Sequence, residues 1–173
     1  SFPTRRSSDL DGYREAIVAY AEAWAAMPGE KESRCRKVIL EEAETIYYNQ
    51  KDYLQALALY DIIVTRYPDS PEANRAVLKT AKYYSTVREY AEAIRVLKPL
   101  TEKKLAPETR REAYFALADA YRGARDPDRA VTAFRELIAK AEDDATKARA
   151  RVEIGMTLYS RGTTYYPDAI SAF

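Results

Sequence analysis

A chain of 173 residues with 47% hydrophobic side chains and 32% charged ones has room for one ordinary domain or one short repeat array. Its 28 Lys and Arg nearly balance 27 Asp and Glu, so no surplus of cations is set aside for a phosphate backbone, and no nucleic-acid partner is expected. The absence of histidine removes the commonest general base and metal ligand, the single Cys35 cannot form an internal disulfide, and no apolar run reaches the ~18 residues that a membrane span needs.

Low glycine content alongside abundant Ala, Glu, Lys, Arg and Leu favours helix. The first ten residues, SFPTRRSSDL, depart from that composition. All of them match the one-frame translation of TCT TTC CCT ACA CGA CGC TCT TCC GAT CTN, which resembles the end of a widely used short-read sequencing adaptor. The expectation for 1–10 is a non-native, disordered leader fused to a gene fragment, the alternative being a natural basic tail.

From Asp11 onward a single helical array is expected over 11–173, cut at both ends: a half repeat at 11–28, repeats at about 33–68, 71–106 and 107–142, and a partial repeat at 145–173. The register comes from Ala16, Ala56, Ala93, Ala130 and Ala169, spaced 40, 37, 37 and 39 residues apart. Three residues earlier stand Tyr13, Tyr53, Tyr90, Pro127 and Tyr166. Four residues later stand Tyr20, Tyr60, Leu97, Phe134 and Phe173, and seven later Ala23, Ile63, Leu100 and Leu137. Offsets of −3, 0, +4 and +7 lie on one stripe of a helix, with a small residue at its centre where a neighbouring helix comes close.

A second stripe precedes it. Tyr47, Tyr84 and Tyr121 stand nine residues before their alanines, with Glu44, Ala81 and Ala118 three residues further back and Leu40, Val77 and Tyr114 beyond. In the last repeat the corresponding pair is either Gly155 with Leu158 or Met156 with Tyr159. Each unit therefore reads helix, tight turn, helix.

The turns read YNQKDY, STVREY, RGARDP and SRGTTYYP. Gly123 and Gly162 suit the left-handed position that closes a helix, and Asp126 before Pro127 suits a cap followed by the first helical residue. In YPDSPEA a helix stops near Pro68 and the next starts with Ser70 as cap and Pro71 in its first turn; Pro107 plays a similar part. Pro99, late in a helix, is expected to kink or shorten it.

These residues resemble the tetratricopeptide repeat. The marks are Ala81 with Tyr84 and Ala118 with Tyr121 in first helices, Tyr53 with Ala56 and Tyr90 with Ala93 opening second helices, and the closing prolines Pro28 and Pro68. Departures are Glu44 in a slot that is otherwise small, Leu105 and Glu142 where a closing proline belongs, and a period above the usual thirty-four. The resemblance implies an all-α fold, an α-solenoid of stacked antiparallel helix pairs wound as a right-handed superhelix. The long period and YPDSPEA look like the variant common in bacterial cell-envelope proteins, which points to the periplasm or envelope.

The family's concave face is lined by first helices. One step off the core stripe, the resemblance implies groove candidates Val38, Glu41, Thr45 and Tyr48, then Arg75, Leu78, Lys82 and Ser85, then Glu112, Phe115, Asp119 and Arg122. Tyr48, Leu78 and Phe115 offer apolar contacts flanked by both charge signs, which suits a helical or extended peptide. The clamp that holds chaperone C-termini needs asparagine where this chain has Thr45, Lys82 and Asp119.

No catalytic, metal or cofactor site is expected. Most tyrosines sit on core stripes, and Glu41, Glu42 and Glu44 share their helix with Lys37 as a solvated face. The function expected is a non-catalytic protein–protein interaction scaffold. The alternatives are a structural spacer or assembly arm in an envelope complex, and a fragment of a larger enzyme or sensor. Without a partner helix, Tyr13, Tyr20 and Trp24 are expected to be exposed, which favours self-association through the uncapped ends.

Overall fold

The computed structural model describes residues 30–160. The leader, the half repeat 11–28, Gly162 and the stripe Tyr166–Ala169–Phe173 lie outside the described residues.

Seven α-helices make up most of the described chain: α1 Glu30–Thr45, α2 Tyr53–Arg66, α3 Pro71–Thr86, α4 Tyr90–Glu102, α5 Pro107–Gly123, α6 Pro127–Lys140 and α7 Asp144–Tyr159. A five-residue π-helix, Ile46–Gln50, continues α1. No strand occurs among the described residues. The chain forms two compact units, Ser1–Val77 and Leu78–Phe173, which divide within α3. In the first unit α1 packs on α2; in the second α4 packs on α5, α5 on α6 and α6 on α7. The fold class is that of the α-solenoid, all-α and built from successive helix pairs.

Local chemistry sets the helix starts. The carboxylates of Asp52, Asp126 and Asp143 accept from the backbone N–H of Gln55, Arg129 and Thr146 at 3.3, 3.1 and 2.7 Å. Ser70 Oγ does the same for Ala73 N–H at 3.1 Å. Each satisfies one of the donors that a helix N-terminus leaves open. The bond from Thr146 holds the Asp143 carboxyl below the usual carboxylate range. Pro107 and Pro127 occupy the first helical turn, where their missing N–H costs nothing.

One turn-chemistry expectation needs correction. Gly123 is the last residue of α5 and does not hold the left-handed position. That position belongs to Lys51 (φ 56°), Arg88 (φ 64°) and Arg125 (φ 60°), each five residues before its repeat alanine. Pro99 lies inside α4, three residues before its end at Glu102, and α4 has 13 residues against 14 in α2 and α6. Pro99 is exposed, so its ring meets solvent rather than a neighbouring helix.

The core follows the repeat register. Ala56, Ala93 and Ala130 are each 0% exposed, as are Tyr60, Leu97 and Phe134 four residues on. Ile63, Leu100 and Leu137 continue the stripe at 2% or less. On the first helices Leu40, Tyr47, Ala81, Tyr114, Leu117, Ala118 and Tyr121 are buried. In α7 the inward pair is Gly155 and Leu158, while Met156 and Tyr159 point to solvent.

Glu44 escapes the small slot assigned to it. The fully buried small residue of α1 is Ala43, one position earlier, and Glu44 reaches out to Arg75. The chain then winds as a π-helix over Ile46–Gln50. A π turn takes up more residues than an α turn, so it absorbs a one-residue slip and still buries Ile46 and Tyr47.

Polar contacts tie neighbouring helices within each unit. In the first, Arg36 bonds Glu32 at 3.2 Å and the buried Glu72 at 3.4 Å, and stacks 5.2 Å from the Tyr67 ring centroid. In the second, Arg110 donates to the carbonyls of Lys140 (2.7 Å) and Leu105 (2.9 Å), which fastens the α4–α5 connection to the end of α6. The Tyr114 hydroxyl is buried beside Lys140, which donates to it, and Glu136, 3.3 Å away.

Candidate functional site

The candidate face is built from side chains that first helices present at spacings of three and four. In the first unit these come from α1 and its π-helical extension. Val38 is 50% exposed and Tyr48 46%. Glu41 and Thr45 are exposed between them, and the Thr45 hydroxyl donates to the Glu41 carbonyl at 2.9 Å. The Tyr48 ring meets Tyr47 edge-on with centroids 5.0 Å apart, and Tyr47 in turn meets Tyr53 at the same distance. Arg75 is already engaged: its guanidinium grips both oxygens of Glu44, at 2.9 and 3.0 Å.

In the second unit Leu78 is 8% exposed, so it belongs to the core and offers no apolar contact at the surface. Lys82 is exposed and Ser85 half-buried. On α5, Glu112 and Asp119 are exposed, while Phe115 is half-buried with its ring 5.4 Å from that of Phe134. Arg122 bonds Asp119 on its own helix and Glu153 of α7 at 2.8 Å, and its guanidinium lies 5.8 Å from the Phe134 centroid. Burial works against the Arg122 charge, yet the two carboxylates outweigh it and hold its pKa above the ordinary value. Arg122 therefore joins α5 to α7 and is not a free cation.

Arg149 of α7 sits over the Phe115 ring at 4.7 Å. Sequence reasoning missed this residue and its neighbours. Arg149, Val152, Met156 and Tyr159 stand 37 residues after Glu112, Phe115, Asp119 and Arg122, the same step that links the earlier candidates. Extending that step once more finds them. The 39-residue gap between Ala130 and Ala169 hid it, because it left the register of α7 open. Val152, Met156 and Tyr159 are 43%, 56% and 63% exposed, the largest apolar display among the described residues of the second unit.

Among the described residues no group of three or more His, Cys, Asp or Glu side chains could hold a metal ion. No described helix is long and apolar enough to cross a membrane.

A family model for the tetratricopeptide repeat matches residues 78–145 and 115–173, and a second tetratricopeptide-repeat model matches 45–70. The chain belongs to the tetratricopeptide repeat family. Among solved structures, a chain described as "MamA RS-1 ArsTM double mutant" is 15% identical with a TM-score of 0.58, over 93% of this chain and 90% of that one. At that identity the likeness shows the shared fold alone. No curated protein matches. Membership of the family supports a protein–protein interaction scaffold in general terms.

Proposed function

We propose that this tetratricopeptide-repeat protein is a non-catalytic scaffold that binds a peptide or partner protein on the groove side of its first helices, with the α5–α7 face as the stretch that carries the reading. The supporting observation is that Val152 and Met156 stand exposed beside the half-buried Phe115, in a helix whose opposite side is packed. Exposed apolar side chains at helical spacing, bordered by charges, suit an amphipathic segment better than a small polar ligand.

The test is peptide selection from a random library on the full chain, followed by amide hydrogen exchange with the selected peptide bound. Protection is expected in 108–122 and 145–159, and Met156→Asp is expected to weaken binding at least tenfold without lowering the thermal midpoint. Protection confined to α2, α4 and α6 would move the site to the second helices, where a spacer or assembly arm makes its contacts.

A further inference from the structure

On the α5–α7 face one cation lies over an aromatic ring with no carboxylate against it. Asp144 takes Lys147 at 3.7 Å, Glu153 takes Arg122, and Glu108 takes Arg111 at 3.5 Å. Arg149 instead rests on the Phe115 ring. A guanidinium over an aromatic face is attracted by the ring and still leaves N–H donors available to a carboxylate. Those donors match two carboxylate oxygens, and a stacked arginine loses less freedom on pairing than an unsupported one. Along the same side of α7, Val152 follows three residues later and Met156 seven, both exposed.

We propose that Arg149, held by Phe115, reads a side-chain carboxylate within a bound peptide whose apolar residues cover Val152 and Met156. This rests on the groove reading above and adds its chemistry: an Asp or Glu set about one helical turn from an apolar pair. Charge complementarity selects this occupant, because the cation at the Val152–Met156 stripe is the stacked Arg149, whereas Arg122 is already held between Asp119 and Glu153. The acid is internal to the segment, so the interaction does not need a free C-terminus.

The experiment uses the 173-residue chain and a random library displayed with blocked C-termini. Enriched peptides are expected to carry Asp or Glu within four positions of two apolar residues. Synthetic amidated versions are expected to lose at least tenfold in affinity when the acid becomes Gln or Asn. The same loss is expected for Arg149→Gln, a smaller one for Arg149→Lys, which keeps charge without the planar fork, and rising salt should weaken binding to wild type more than to Arg149→Gln. Circular dichroism melts of the variants should overlay wild type, since Arg149 is exposed. Peptides that bind and protect α7 but lack an acid, or bind Arg149→Gln equally well, overturn this inference and leave the groove reading standing. Enrichment only of free C-termini overturns it too, and a failure to enrich any peptide overturns both.

Discussion

Gly123 lies against the ring of Tyr90: a Cβ built on Gly123 would meet Tyr90 Cδ1 at 2.5 Å and Cζ at 2.6 Å, well inside van der Waals contact. Gly123 ends α5 and Tyr90 begins α4, so the absence of a side chain lets these two helix ends close on each other. Gly123→Ala gains helix propensity of up to about 1 kcal/mol but forces the ring or a helix end to move, which costs about 1–3 kcal/mol. The expected outcome is a net loss of stability in urea unfolding. In a Tyr90→Leu background the same substitution should cost markedly less, and equal costs in both backgrounds would refute the contact as the cause.

Lys51, Arg88 and Arg125 carry positive φ at one repeat register, each directly before the N-cap residue of the next helix. An L-residue in this region is strained by roughly 1–2 kcal/mol, whereas glycine is not. Arg88→Gly and Arg125→Gly are therefore expected to stabilise the chain by about 0.5–1 kcal/mol each, after the added freedom of the unfolded glycine is subtracted. Arg88→Val should do the opposite. Denaturant midpoints for the single variants decide it.

Ala93 is fully buried, while Ala91 on the same helix faces solvent. Ala93→Leu overfills a closed contact and is expected to cost about 1–3 kcal/mol or more, whereas Ala91→Leu should be close to neutral. Similar results are expected at Ala56 and Ala130, which occupy the same slot. A tolerated leucine at all three would mean that the helix pairs do not meet where their small residues lie.

Tyr60 is 0% exposed and its hydroxyl has no hydrogen-bond partner in the structure. Leaving such a group buried costs about 1–3 kcal/mol, so Tyr60→Phe is expected to raise the thermal midpoint. Burial, and then the charge of Glu44, push the Tyr60 pKa above its ordinary value of 10.0. The folded chain keeps this proton at pH values where the unfolded chain loses it. Stability should therefore fall as pH rises above 10.0, and more steeply in wild type than in Tyr60→Phe. Parallel stability curves for the two above that pH would refute the assignment.

The repeat register was legible because burial at Ala93, Leu97 and Leu100 depends on helical period alone, and a stripe at −3, 0, +4 and +7 has one way to face a neighbour. Caps at Ser70 and Asp126 were legible for the same local reason: a side-chain oxygen and a backbone N–H three residues apart are enough. Of the surface candidates, the positions could be read but the engagements could not. Arg75 and Arg122 look free in one dimension, yet each is spent on a carboxylate 31 residues away, and Leu78 turns inward.

What the amino-acid order determined alone is the all-α architecture, its helix pairs and its family, since these follow from periodicity and short-range bonds repeated along the chain. What only the tertiary structure decided is where the register slips and which charges remain available. The π-helical stretch that follows Ala43 and Glu44 marks the slip, while the approach of Tyr90 to Gly123 and the placing of Arg149 over Phe115 depend on atoms brought together from separate helices. A helical stripe says which side of a helix is inward. It does not say which neighbour meets it, and pairing energies are set by that meeting.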